Sequence, residues 1–308
     1  MIKRIIEISS GPARLSVRYR QLVIEREDQP EATVPCEDIG VLLVDNAAVS
    51  YTHGVLTHLL EVGAAVIVCG RDHHPAGLLL PIDANTLQSE RHRAQIAASK
   101  PLQKRLWQTV VGAKIRLQAA VLRSAGGADA GLTAIACRVR SGDPDNREAH
   151  AAQRYWPALL GPRFRRHRGG PPPNNYLNYG YMVLRAATAR ALAGAGLITT
   201  LGIHHRHRNN PFCLADDLME AYRPYVDMKV RGLVRRSEPG EDIDRPVKEA
   251  LLSVFNEVIP IAGQRTPLLL ALHRSAASLA DAFVSGVPKL ALPDGLPVAP
   301  DDADEAAA

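Results

Sequence analysis

The feature that most constrains this chain is a change of hydrophobic period near residue 87. Before it, apolar residues come in short runs rich in β-branched side chains and closed by turn residues. After it, they recur every three to four positions over long stretches. RLSVRYRQLVIERE alternates in part and runs into a proline-bounded turn, while IGVLLVDNA and AAVIVCG read as buried strands. Between these two, THGVLTHLLEVG has helical spacing and a glycine stop, and LLLPIDAN closes the β-rich region. The switch predicts an α+β, two-domain chain. A small β-rich N-terminal domain is expected over residues 1–82, a linker over 83–88, a larger all-α domain over 89–292, and an acidic, disordered tail over 293–308.

Within the helical part, SERHRAQIAASKPLQKRLWQTVVGAKIRLQAAVLRSAGG places Pro101 at a helix start and glycines at its end. DPDNREAHAAQRYWPALLG predicts a second helix, capped by Asp143 or Asp145 and ended by Gly161. YLNYGYMVLRAATARALAGAG reads as a long helix with an alanine-rich, closely packable surface. Helical patterns continue through DLMEAYRPYVDMKVRGLV, PVKEALLSVFNEVI and TPLLLALHRSAASLADAFVSG. The segment PRFRRHRGGPPPNN is too basic and too rich in Pro and Gly for a core, and reads as a mobile arm.

Charge divides along the same boundary. Residues 1–82 carry seven Lys/Arg against ten Asp/Glu, a net of −3, whereas residues 83–293 carry thirty against seventeen, a net of +13. The whole positive field therefore belongs to the helical part, which points to a polyanionic partner there. Cys36, Cys69, Cys137 and Cys213 form no Cys-x-x-Cys pair, which argues against a zinc ribbon and a secreted disulfide scaffold; each is expected to be a buried or half-buried small hydrophobe. MIKRIIEISS lacks the apolar run of a signal peptide, and no uncharged apolar stretch is long enough to span a bilayer. The expectation is a soluble cytoplasmic protein with no membrane partner.

Hard-metal donors concentrate in two stretches of the basic part. Asp217 and Glu220 stand three apart in a segment read as one helix, so both carboxylates project from one face. His205, one short loop upstream in GIHHRHRNNPFCLADD, can close on that face; Glu148 in DNREAHAAQRYW is a third carboxylate. Leu214, Leu218, Met219 and Tyr222 make the Asp217–Glu220 helix largely apolar, and buried carboxylates need a compensating cation or donor. Oxygen donors with one imidazole suit Mg²⁺ or Mn²⁺ better than structural zinc. Candidate phosphate contacts are Arg163, Arg165, Arg166 and Arg168 of RFRRHR, Arg206 and Arg208 beside the histidines, and Lys114 with Lys100, Lys104, Arg105 and Arg116 on the first long helix. Metal-assisted chemistry on phosphodiesters fits this combination. A non-catalytic DNA-binding scaffold and a hydrolase of small phosphoesters are the alternatives; no convincing glycine-rich phosphate loop supports the second.

The stretches NREAHAAQRYWPALLG, NNYLNYGYMVLRA, GIHH and NPFCLADDLMEAYRPYVD, in this order, resemble the CRISPR-associated spacer integrase, the metal-dependent DNA endonuclease of the adaptation module, and most closely its type II branch. The resemblance covers nearly the whole chain. It implies that Glu148, His205 rather than His204, and Glu220 bind the metal, with Asp217 as supporting carboxylate, and that Asn178, Tyr179 and Gly180 pack and orient the helix opposite the site. It further implies insertion of short foreign DNA fragments into a repeat array by transesterification. The implied assembly is a homodimer formed through the β-rich lobes, joined by a small companion protein, double-stranded DNA and, as a further participant, the RNA-guided effector nuclease.

Overall fold

The computed structural model describes residues 3–27, 29–70, 75–82 and 85–297. The N-terminal part holds two sheets. In the first, β1 (Arg4–Ile8), β5 (Ile39–Val44) and β7 (Ala65–Cys69) run parallel in that order, and β8 (Pro75–Leu79) pairs antiparallel with β7. The second has the order β4 (Gln29–Pro35), β3 (Gln21–Arg26), β2 (Ala13–Arg18), β6 (Val49–Tyr51), with β2 parallel to β6 and the other pairs antiparallel. RLSVRYRQLVIERE is thus the β2–β3 hairpin, turning at Tyr19 and Arg20, both with positive φ. THGVLTHLLEVG forms α1 (His53–Glu61).

Every residue of β5 is buried, because both faces of its sheet are covered. Alternation decides which side chain goes where. Leu42 and Val44, with Ile8 and Val66, face Leu15, Leu22 and Ile24 of the second sheet and Val55 and Leu59 of α1. Val41, Leu43, Ala65 and Ile67 face the opposite way and share one core with the helices. That core crosses the boundary expected at residue 82.

The helices are α2 (Gln88–Ala97), α3 (Lys100–Ser124), α4 (Leu132–Ala136), α5 (Arg147–Leu160), α6 (Asn174–Gly194), α7 (Cys213–Met219), α8 (Arg223–Arg236), α9 (Arg245–Leu252) and α10 (Leu268–Ser285). Buried α6 packs against α7, α8, α10 and β7. Gly180 permits the α6–α8 approach: a Cβ there would lie 2.5 Å from Val226 Cγ1.

Four expectations need correction. The later part is not all-α, because β9 (Val258–Ile261) and β10 (Gln264–Pro267) form a hairpin between α9 and α10. The segment DLMEAYRPYVDMKVRGLV is two helices, α7 and α8. Pro224 has no N–H to bond the Glu220 carbonyl four residues back, so the chain restarts with proline in the first turn of α8. Cys137 is exposed, while Cys36 and Cys213 are buried and Cys69 half-buried. The start of the expected tail is ordered: Pro293 bridges to Ile261, and Gly295 O accepts from Tyr225 OH. Residues 83–84 of the expected linker and 298–308 of the tail lie outside the described residues. Among the described residues no helix is long and apolar enough to cross a membrane.

Candidate active site

Glu148 enters the site from the first turn of α5. Asn146, in the left-handed region, is the N-cap, and its side chain accepts from Ala149 N. Asp143 carries out much of the capping expected of it, its two oxygens accepting from Arg147 N at 2.8 Å and Glu148 N at 3.0 Å. Asp145 instead pairs with Arg140. This anchoring aims the Glu148 side chain at α3, where Glu148 Oε1 accepts from Lys114 Nζ at 2.6 Å.

Glu220, just past the end of α7, reaches the same ammonium: its Oε2 lies 2.5 Å from Lys114 Nζ, and its Oε1 2.9 Å from Arg223 NH1. Burial opposes the Glu220 charge, yet Arg223 and then Lys114 outweigh it and hold its pKa below the usual carboxylate range. For Lys114 burial likewise works against the charge, but Glu220 and Glu148 prevail and its pKa stands above the ordinary value. Arg223 in turn lies over the Tyr181 ring, 4.8 Å from its centroid.

His205 and Asp217 form the other half. The fully buried Asp217 accepts from His204 N at 2.9 Å and His205 N at 3.1 Å, and its Oδ1 lies 2.6 Å from His205 Nδ1. The hydrogen bond to Asp217 raises the His205 pKa, with Glu220 and Glu148 adding smaller electrostatic contributions. A carboxylate on Nδ1 fixes the ring and leaves Nε2 for another partner. His204 stacks face-on against Trp107, 4.2 Å between centroids, and His205 meets the same indole edge-on. Its neighbour Asp216 is occupied elsewhere, by Arg185 and Asn210.

The structure therefore joins Glu148 and Glu220 through Lys114 and His205 with Asp217, and His205 lies within electrostatic reach of both glutamates. It separates the expected phosphate contacts. Arg163, Arg165, Arg168, Arg206 and Arg208 are exposed. Arg166 is half-buried, donating to Asn174 Oδ1 and Asn178 Oδ1, and Asn174 and Asn178 also bind backbone atoms of residues 165, 167 and 168. The segment expected to be a mobile arm is tied down at these points. Lys114 is a second correction. Lys100, Lys104, Arg105 and Arg116 are exposed, but Lys114 points the opposite way, its side chain only 9% exposed between the two glutamates. Two clefts of about 630 and 510 Å³ adjoin the site; Lys100, Arg206 and Arg208 line the first, and Arg166, Arg168, Arg185 and Arg223 the second.

Arg223, Trp107 and the central role of Lys114 were not read from the sequence. A signal for Lys114 was present: it stands four residues after Val110 and three before Leu117, on the apolar stripe of α3.

A family model described as CRISPR associated protein Cas1 matches residues 6–253. The chain belongs to this family. Among its relatives, the CRISPR-associated endonuclease Cas1 of Neisseria meningitidis serogroup C is 37% identical over 305 residues, covering 97% of this chain and 98% of that one. Both findings bear out the resemblance to the CRISPR adaptation integrase. A solved casposase bound to integration product has a TM-score of 0.75 at 20% identity, covering 93% of this chain and 92% of that chain. A Cas6-RT-Cas1–Cas2 complex gives 0.71 at 17% identity, covering 93% of this chain and 35% of that chain. At such identities these two structures establish a shared fold.

Proposed function

We propose that the chain is a metal-dependent DNA endonuclease and integrase that inserts short foreign DNA fragments into a CRISPR repeat array by transesterification. The observation that carries this reading is the convergence of Glu148 and Glu220, from separate helices, on one buried cation. Two carboxylates and one imidazole make a hard-donor set suited to Mg²⁺ or Mn²⁺. Among the described residues no three His, Cys, Asp or Glu side chains stand ready-made around a metal. The fit is nonetheless good: buried Glu220 Oε2 receives no well-directed hydrogen bond, and the Lys114 ammonium marks where the site stabilises positive charge.

Glu148, Glu220 and His205 would hold the ion, which when bound polarises a phosphodiester and lowers the pKa of an attacking hydroxyl. Asp217 orients the imidazole through Nδ1, and Arg223 fixes Glu220 through Oε1. The attacking hydroxyl is water in cleavage and a DNA 3′-end in joining. In either case one P–O bond forms as another breaks, and the departing oxygen takes a proton.

The exposed Arg163, Arg165, Arg168, Arg206 and Arg208 contact the duplex backbone, a cationic surface that the −3 N-terminal region cannot supply. In this reading residues 1–82 form a dimerising domain and 89–292 the catalytic one. The protein works in the cytoplasm as a homodimer with a small companion protein, and the effector nuclease is a further participant. The solved complex named for Cas1 with Cas2 supports the companion. Glu148→Ala and Glu220→Ala are expected to abolish Mn²⁺-dependent cleavage and joining of branched DNA while duplex affinity stays nearly unchanged. Joining that survives in both variants refutes the assignment and favours the scaffold alternative.

A further inference from the structure

The centre of the site belongs to Lys114, which is in none of the metal-ligand roles above. It leaves α3 among the buried Val110, Val111, Ile115 and Leu117. Its ammonium lies 2.6 Å from Glu148 Oε1 and 2.5 Å from Glu220 Oε2, and Arg223 supplies a second guanidinium charge to Glu220. The buried Glu220 and half-buried Glu148 carboxylates are thus already balanced by the buried Lys114 ammonium and the half-buried Arg223 guanidinium. A buried ion pair stripped of one member leaves an uncompensated charge, a severe penalty, so this pairing is what lets the site exist without metal. A divalent ion ligated by the same two oxygens would stand within contact distance of the ammonium, where like charges repel.

We infer that Lys114 is the resident counterion of the site: it bridges Glu148 and Glu220 in the metal-free protein, and metal loading requires its ammonium to leave that bridge. The inference rests on the reading of Glu148 and Glu220 as metal ligands. The flexible four-carbon stem of lysine allows the head group to move without shifting α3. A displaced ammonium needs a new anion, and a DNA phosphate at the site provides one. Metal and DNA therefore favour each other's binding, and a metal-free protein keeps its carboxylates covered.

The test is a Mn²⁺ titration of the full-length protein without DNA, followed by the EPR signal of free Mn²⁺, on the wild type, Lys114→Met and Lys114→Gln. Gln retains N–H donors without the charge and serves if the Met variant does not fold. Both variants are expected to bind Mn²⁺ on the order of tenfold more tightly than the wild type, within the usual range of coupling between two ligands of one site. Without metal they are expected to melt below the wild type, and saturating Mn²⁺ should close that gap. Equal or weaker Mn²⁺ binding in the variants overturns the inference, as does a Mn²⁺-loaded crystal in which Lys114 Nζ still bonds both glutamates. Mn²⁺ binding that Glu148→Ala leaves untouched overturns the ligand assignment itself, and is distinguished by that variant alone.

Discussion

Replacing Asp217 by Asn removes one charge and keeps nearly every atom in place. The carboxylate has no solvent exposure and meets three nitrogens: His204 N at 2.9 Å, His205 N at 3.1 Å and His205 Nδ1 at 2.6 Å. An amide offers one acceptor oxygen, so at least one of these donors would face an N–H instead. A buried donor left unpaired costs about 1–3 kcal/mol, and a hydrogen bond to a charged group contributes about 1.5–3 kcal/mol. Loss of the partner that orients a ligating histidine typically costs about 10–100-fold, or about 1.4–2.7 kcal/mol, the same range reached from the reaction side. The pH dependence separates orientation from simple damage. The His205 pKa is raised by Asp217, so the imidazolium–carboxylate pair stabilises the fold fully below the unfolded value near 6.5 and is lost as pH rises through the folded one. Ligation needs the neutral ring, so activity has the opposite slope and climbs through the folded value. In Asp217→Asn that acid limb moves to lower pH while the plateau falls. The assay is kcat/KM for Mn²⁺-dependent joining of a 3′-hydroxyl end to repeat duplex, measured from mildly acid to mildly alkaline pH. An unmoved limb with an unchanged plateau refutes the positioning role of Asp217.

Gly202→Ala tests the same contact from the other side. A Cβ would lie 2.7 Å from Asp217 Oδ2 and 3.1 Å from Cys213 Cβ, so a loss of about 1–3 kcal/mol in urea unfolding is expected together with weakened joining; wild-type values for both would refute it. Arg163 and Arg168 are exposed, and among the described residues neither side chain makes a hydrogen bond or ion pair, so their double replacement by Ala should leave melting unchanged. If each contacts one phosphate, the slope of log affinity against log salt should fall by about 1.8; an unchanged slope removes this segment from the DNA interface.

How much of this was legible depended on whether local chemistry or the tertiary partner decided each element. β5 and β7 were readable because a strand buried on both faces is apolar throughout. The β9–β10 hairpin was not: its strands are four residues each, flanked by helical patterns, and its turn uses Ala262 and Gly263 at positive φ in place of the Asn-Gly signal. Pro224 announced the break between α7 and α8, but the apolar periodicity of the segment ran through it. Among site residues, Asp217 was readable from its spacing to Glu220, while the fold adds that Asp217 is held by the histidine loop and its neighbour Asp216 by Arg185. Lys114 was read as surface charge because its partners, the two glutamates, are remote in sequence, and Arg166 because its partners Asn174 and Asn178 lie across the Pro/Gly-rich turn on α6.

Those remote partners also explain why the site stands where it does. One face of the β1–β5–β7–β8 sheet, through Val41, Leu43, Ala65 and Ile67, shares a core with the helices. Polar contacts fix the register: Tyr179 OH donates to Glu7 Oε1 at 3.2 Å, and Lys248 Nζ pairs with Asp45 Oδ2 at 2.5 Å. Two residues along α6 from Tyr179, Tyr181 turns toward α8, donating to Asp227, whose other oxygen accepts from Tyr155 of α5 at 3.0 Å. Burial pushes Asp227 up to about 6, so this carboxylate is held against its preference by the two phenols that join three helices. The Tyr181 ring also carries Arg223, and Arg223 carries Glu220. Helix α5, tied to this network through Tyr155, bears Glu148 on its first turn. The two glutamates therefore meet because both are indexed to α6, and α6 is indexed to the sheet. Displacing α6 by even part of a side chain would separate carboxylates that, among the described residues, are linked directly by a single ammonium.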